Sequence, residues 1–201
     1  IKNKDGSLNS AYGNLIFKEH NAHGKNQYSW ALEKLKEDKD SRQAILHFNK
    51  QHHQYDNNKD FVCTLNGIFQ IRNNSLNFTV DMRSNDIILG TPTDIPFFCT
   101  LQQQMLVHLQ KYYPDLRMGT YTHIAHSLHI YERHFELGKK MLDFPFEEKY
   151  LPEMREAFID ESGVPLKMLV EIENEIENEE EYKFKDDLLH QWIIDALNSN
   201  I

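Results

Sequence analysis

The sequence predicts an α+β domain built on one sizeable mixed sheet packed with helices. Strand-like runs and segments of helical spacing are mixed without regular βαβ alternation. A strong hairpin signal, Asn73-Asn74-Ser75, joins two of the strand-like runs. At 201 residues, with 40% hydrophobic and 11% aromatic content, the chain is long enough to bury one proper core.

The first turn is Lys4-Asp5-Gly6-Ser7, followed by Ser10-Ala11-Tyr12-Gly13. Residues 28–36 have helical spacing, with Trp30, Leu32 and Leu35 apolar among charges; Asp40-Ser41 breaks the helix. Arg42 leads into a strand over 44–48, and the His- and Asn-rich stretch 51–59 reads as an exposed loop. Strands are expected over 61–72 and 76–83, with 86–89 a further strand or bend that stops at Gly90-Thr91-Pro92. The period then becomes helical over 95–112, where Phe98, Leu101, Met105, Leu106 and Leu109 share a face and Pro96 fits the first turn. A strand over 119–131 and a short helix over 132–142 follow. Two acidic helices are expected over 165–177 and 185–198, the first striped with Leu166, Leu169, Ile172 and Ile176.

The formal charge of -9 argues against a general nucleic-acid binder, and much of it lies between Glu171 and Glu181. No apolar run reaches the ~18–20 residues needed to cross a bilayer. Ile1-Lys2-Asn3-Lys4-Asp5 lacks the apolar core of a signal peptide, and its first residue implies a cut chain. Cys63 and Cys99 make no disulfide framework, so a cytoplasmic setting is expected.

Polar chemistry concentrates around the ends of the expected strands. Cys63 can attack an electrophile if a cation such as Arg83 stabilises its thiolate, although a lone strand Cys often packs as a small hydrophobe. Cys99 falls on the apolar face of the long helix and is expected in the core. Arg83-Ser84 offers a fork of donors and a hydroxyl, which suits a phosphate; Arg42, just after Ser41, is a second candidate. His52-His53, His123, His126, His129 and His134 lack zinc-ligand spacing, and no metal is expected; alternation would put His123 and His129 on one strand face.

Several blocks together resemble the thymidylate synthase superfamily, closest to its phage-type deoxycytidylate hydroxymethylases. They are Asp5-Gly6 with Tyr12-Gly13, Asp40-Ser41-Arg42, Cys63, Arg83-Ser84-Asn85-Asp86, Leu89-Gly90-Thr91-Pro92-Thr93-Asp94-Ile95, Tyr113-Pro114 and His129-Ile130-Tyr131. They run in family order over roughly residues 5 to 135. The resemblance implies a catalytic domain over 1–146, with a sheet face used for dimerisation, and a divergent acidic helical segment over 147–201 packed on it. The family's N-terminal part, with a catalytic glutamate and a phosphate-loop arginine, has no counterpart in these residues, nor is its folate-closing C-terminal segment recognisable from Glu147 on.

The family transfers a one-carbon unit from 5,10-methylenetetrahydrofolate to C5 of a pyrimidine nucleoside monophosphate. Carried over, Cys63 is the nucleophile that adds to C6. Arg83 and Ser84 hold the 5′-phosphate, completed in a homodimer by Arg42 from the partner, with Gln43 where a second arginine is common. Asp86 contacts both base and folate, His129 and Tyr131 bind the sugar 3′-hydroxyl, and Tyr12 sits near the folate. No nucleic-acid or membrane partner is implied, and the setting is the cytoplasm, that of the host if the chain is viral.

Asp94 discriminates between substrates. Synthases have Asn there, which can donate to O4 of uracil and accept from its N3–H. A carboxylate instead accepts from the cytosine amino group and can share a proton with bare N3. Met82 before Arg83 and Thr64 after Cys63 also resemble the hydroxymethylases, whereas Gly90-Thr91-Pro92 resembles the synthases. The expected reaction is dCMP to 5-hydroxymethyl-dCMP. The alternatives are thymidylate synthase, a dUMP hydroxymethylase, or a nucleotide-binding protein with weakened catalysis.

Overall fold

The computed structural model describes residues 8–145, 154 and 157–164. Its strands are β1 (Ile45–His47), β2 (Thr64–Arg72), β3 (Ser75–Met82), β4 (Asn85–Asp86), β5 (Arg117–Ala125) and β6 (Leu128–His129). Its α-helices are α1 (Gln27–Glu37), α2 (Thr91–Gln110) and α3 (Phe135–Leu142). The main sheet has the order β1-β2-β3-β5, and β4 pairs with β6 in a separate two-stranded ladder.

The hairpin turn is as the sequence demands. Asn73 and Asn74 take φ of 50° and 59°, a pair of left-handed residues that a two-residue primed turn requires and that asparagine tolerates. Arg72 therefore pairs with Ser75, and the register runs back through Phe69↔Phe78 and Gly67↔Val80. Leu76, Phe78, Val80 and Met82 alternate into the core, where the Phe69 and Phe78 rings stack 3.9 Å apart. Burying each such side chain contributes roughly 1.5–3 kcal/mol.

Next to β3 the sheet turns parallel, which needs a crossover; α2 supplies it. Gln102 on α2 donates to Leu76 O at 2.8 Å, where the β3–β5 register shifts. Gly119 permits this approach, since a Cβ there would lie 2.6 Å from Leu76 O. Helix α1 starts at Asn26, whose side chain accepts from Ser29 N at 2.8 Å, and buries Tyr28, Ala31, Leu32 and Leu35. Helices α1 and α2 touch each other and close one face of the sheet. The opposite face, including Ile68, Thr79, Thr122 and Ile124, is half-buried or exposed.

The α+β class and one large mixed sheet are as expected, the short β4–β6 ladder is additional, and several boundaries differ. The long helix begins at Thr91, so Gly90-Thr91-Pro92 opens it; Pro92 occupies its first turn and Pro96 lies inside. The strand at Cys63 begins only at Thr64. The single strand over 119–131 is two, because the chain turns at His126-Ser127, which removes the common face proposed for His123 and His129. The polar loop contains a 3-10 turn, Gln51–His53, that buries His53.

The turn at 4–7, the boundary at 146–147 and both acidic helices lie outside the described residues. Within them, Met154 and Phe158 donate their N–H groups to Gln103 and Gln104 of α2, each at 2.8 Å. Among the described residues no helix is long and apolar enough to cross a membrane.

Candidate active site

Cys63 sits in a bend directly before β2, where the β2–β3 register shifts between Thr64 and Asn66. Such irregularities re-aim side chains. The Arg83 N–H, across the open end of the hairpin, donates to Cys63 O at 2.9 Å, so the two residues are locked side by side. The Arg83 guanidinium donates to Val62 O at 3.1 Å and Phe61 O at 2.6 Å, and Nη2 lies 3.5 Å from Cys63 Sγ. Phe61 stacks beneath it, 4.8 Å from ring centroid to guanidinium carbon.

The short ladder brings in the next group. Asp86 pairs with His129, which places Ser84 Oγ 3.4 Å from His129 Nδ1. The His129 ring meets Tyr131 edge-on at 5.0 Å. Asp86 Oδ1 accepts from Ile88 N at 2.9 Å, and its carbonyl accepts from Gly90 N at 2.9 Å. Gly90 lets α2 start against β4, because a Cβ would lie 3.0 Å from Asp86 O.

Asp94 is in the first turn of α2 and only 9% exposed. Its Oδ2 accepts from Asn85 Nδ2 at 2.7 Å and its Oδ1 from the Tyr12 hydroxyl at 3.2 Å. Tyr12 is in turn 2.6 Å from Thr64 Oγ1, and Thr91 Oγ1 donates to Asn85 Oδ1. Burial raises the Asp94 carboxyl above its ordinary range, against the opposing effect of those two donors. Burial, then the nearby Asp94 charge, drives the Tyr12 hydroxyl far up, so it stays protonated. Burial lowers His123, and Asp94 opposes that shift.

Cys63, Arg83, Ser84, Asp86, Asp94, His129, Tyr131 and Tyr12 line one cleft of about 490 Å³, a volume suited to a small ligand. Arg42 does not join them: it is exposed in a separate groove beside Gln43 and Arg72. Cys99 is half-buried on α2, its thiol pushed up by burial. Next to Asp86 in the chain, Ile87 and Leu89 leave apolar surface exposed, and a carboxylate with apolar side chains nearby is chemistry that suits a flat heteroaromatic ligand. Among the described residues no group of three or more His, Cys, Asp or Glu is placed to hold a metal ion.

The sequence assigns no individual role to Asn85, Thr91 or Asp60. Asp60 accepts from Ser10 N at 3.0 Å and thereby ties the Tyr12 segment to the cysteine loop; burial opposes its ionisation, but the Ser10 bonds hold its carboxyl low. Asn85 lay within the Arg83–Asp86 block, but its contact with Asp94 depends on the reversal of the chain at Gly90.

The family model described as thymidylate synthase matches residues 1–163, and the chain belongs to that family. It is 34% identical over 150 residues to the deoxycytidylate 5-hydroxymethyltransferase of Enterobacteria phage T4, covering 68% of this chain and 57% of that protein. It is 29% identical over 139 residues to the thymidylate synthase of Bacillus mojavensis, covering 67% of this chain and 47% of that protein. Thermostable thymidylate synthase A from Bacillus subtilis shares the fold, with a TM-score of 0.57 at 23% identity over 73% of this chain and 52% of that one. The chain thus spans about half the length of the relatives it matches.

Proposed function

We propose that this chain carries the nucleotide site of an enzyme that transfers a one-carbon unit to C5 of dCMP, giving 5-hydroxymethyl-dCMP. The observation that carries the cytosine assignment is Asp94, a buried carboxyl whose protein partners are both donors. Its cleft-facing edge can accept from the C4 amino group and share a proton with N3, which draws electrons from the ring. The Cys63 sulfur adds to C6 as the C5–C6 double bond opens, placing negative charge at C5. Arg83 and Ser84 bind the 5′-phosphate. Arg83 meets it by turning its guanidinium from the Phe61 and Val62 carbonyls, and His129 and Tyr131 take the sugar hydroxyl.

When bound against Asp86, methylenetetrahydrofolate supplies the one-carbon unit. C5 would bond to that carbon, and loss of the C5 proton would break its bond to the folate nitrogen, releasing tetrahydrofolate unoxidised; water then adds to the exocyclic methylene carbon as the Cys63 sulfur leaves C6. The reading includes a homodimer in which Arg42, exposed and remote from its own cleft, completes the partner's phosphate site, and a cytoplasmic setting. The catalytic unit is assigned to 1–146 and the acidic segment to 147–201.

The synthase-like Gly90-Thr91-Pro92 turn favours a second reading, methylation or hydroxymethylation of dUMP. Mass spectrometry of products formed with methylenetetrahydrofolate and either dCMP or dUMP separates these. A gain of CH2O on dCMP without dihydrofolate is expected. Product from dUMP alone would overturn the cytosine assignment, and binding without any product would leave a nucleotide-binding protein.

A further inference from the structure

Two lines of donors converge on Asp94, and their direction follows from its chemistry. An ionised carboxylate only accepts. The Asn85 atom 2.7 Å from Oδ2 is therefore the amide nitrogen, which turns Asn85 Oδ1 to the Thr91 hydroxyl as donor. On the other side, Tyr12 donates to Oδ1 at 3.2 Å and so receives from Thr64 at 2.6 Å. Asn85 is only 3% exposed, its N–H held by Ser127 O at 3.0 Å and its Nδ2 also 3.1 Å from Met82 Sδ. Its amide has one orientation that satisfies all these partners.

The two carboxylate oxygens are consequently unequal. A donated hydrogen bond lowers an oxygen's affinity for a proton, and the shorter, buried one does so more. Oδ2, under Asn85, is the poorer proton site; Oδ1, with the longer bond from Tyr12, is the better one. The inequality matters because a protonated carboxyl can pair with either pyrimidine. Cytosine needs the proton on the oxygen facing N3 and a free acceptor facing the C4 amine. Uracil needs the reverse, a proton facing O4 and an acceptor facing N3–H.

We propose that the base sits with its C4 substituent at Oδ2 and N3 at Oδ1, and that Asn85, oriented by Thr91, is then a specificity-determining positioning residue: it keeps Oδ2 an acceptor for the C4 amine and confines any shared proton to Oδ1 and N3. The site then favours a 4-aminopyrimidine over a 4-oxopyrimidine. This rests on the cytosine assignment above and adds the residue that enforces it.

The test measures equilibrium binding of dCMP and of dUMP, with kcat and KM for each, in the parent, Asn85→Ala, Thr91→Val and Thr91→Ser. Asn85→Ala is expected to lower the dCMP:dUMP preference about tenfold and Thr91→Val about threefold, with Thr91→Ser close to the parent. Equal weakening of both nucleotides, or an unmoved ratio, would overturn the proposal by reducing Asn85 to a structural role. If Asn85→Ala fails to fold, Thr91→Val decides the matter alone, since it removes only a hydroxyl. A parent that prefers dUMP, or binds neither nucleotide, would overturn the cytosine assignment and this inference with it; a parent that prefers dCMP with unmoved variants would overturn only the inference.

Discussion

Helix α2 carries two sets of buried polar side chains, and the chain treats them differently. In its C-terminal half, Gln102, Gln104 and His108 each bond to main chain, and His108 to the Tyr28 side chain as well. Gln102 donates to Leu76 O, Gln104 accepts from Phe158 N, and His108 Nε2 donates to Ile159 O at 3.0 Å while Nδ1 accepts from Tyr28 at 2.8 Å. At its N-terminal end, Asp94 is met by side chains, Tyr12 and Asn85, and lines a cleft. A buried polar group must find partners wherever it sits. Polarity closed by backbone serves the fold, whereas polarity oriented by other side chains and left with an open edge serves a ligand. Variants at the first set should therefore move stability, and variants at the second should move chemistry.

Cys63→Ser tests the second set most severely. The sulfur lies beside Arg83 without holding any element in place, so turnover should fall by at least about a thousandfold while dCMP binding stays within a few-fold. Retained turnover, measured as product formed per minute, would take the cleft out of the chemistry and erase the contrast.

Asp94→Asn comes next, with an expected shift of about a hundredfold in kcat/KM from dCMP toward dUMP. Its stability effect has a defined sign. Burial raises the folded-state carboxyl above its ordinary 3.8, so its stabilising contribution is complete below that value and is lost as pH rises through the folded-state value. At neutral pH the charge is a liability, and calorimetry should find the Asn variant no less stable than the parent. A large drop in melting temperature with unchanged selectivity would place Asp94 with the structural set.

The fold and much of the cleft were legible in sequence because local chemistry determined them. Asn73-Asn74 can hardly be other than a tight hairpin, and that hairpin alone brings Cys63 to Arg83. Cys63, Arg83, Ser84, Asp86, Asp94, His129, Tyr131 and Tyr12 meet in one cleft, as the family blocks imply. The misses share a cause. Pro92 opens a helix only because the preceding glycine allows a sharp start, and Asn85 meets Asp94 only because of that start. His108 reads as one more polar position on the long helix, and its role depends on backbone from residue 159, far along the chain.

His108 is the stronger test of the structural set. Burial, then Lys111, lowers it below the ordinary 6.5, so its contribution to stability is complete above that value and is lost as pH falls through the folded-state value. Burial gives His53 and His123 the same sign. Melting temperature should decline from about pH 7.5 to about pH 5.5. His108→Leu should cost about 2 kcal/mol at neutral pH, through the unpaired Tyr28 hydroxyl and Ile159 carbonyl, and should flatten the slope. A parent profile flat over that range would show that these rings do not stay neutral in the fold.

The smallest effect is expected at Gln102, and it sharpens the comparison most because, of the structural set, Gln102 stands nearest to Asp94 along α2. Its amide reaches Leu76 O, and more distantly Thr120 O at 3.4 Å, where β3 and β5 shift register. Gln102→Leu keeps the volume and removes the donor, leaving those carbonyls with one partner fewer at a cost of about 1 kcal/mol. Denaturant unfolding should show that loss with an unchanged slope, and the dCMP:dUMP preference should match the parent, since the residue lies two helical turns from Asp94. A change in preference at Gln102 would mean that the two polar sets are coupled through α2, and that the division between fold and site drawn along this helix is wrong.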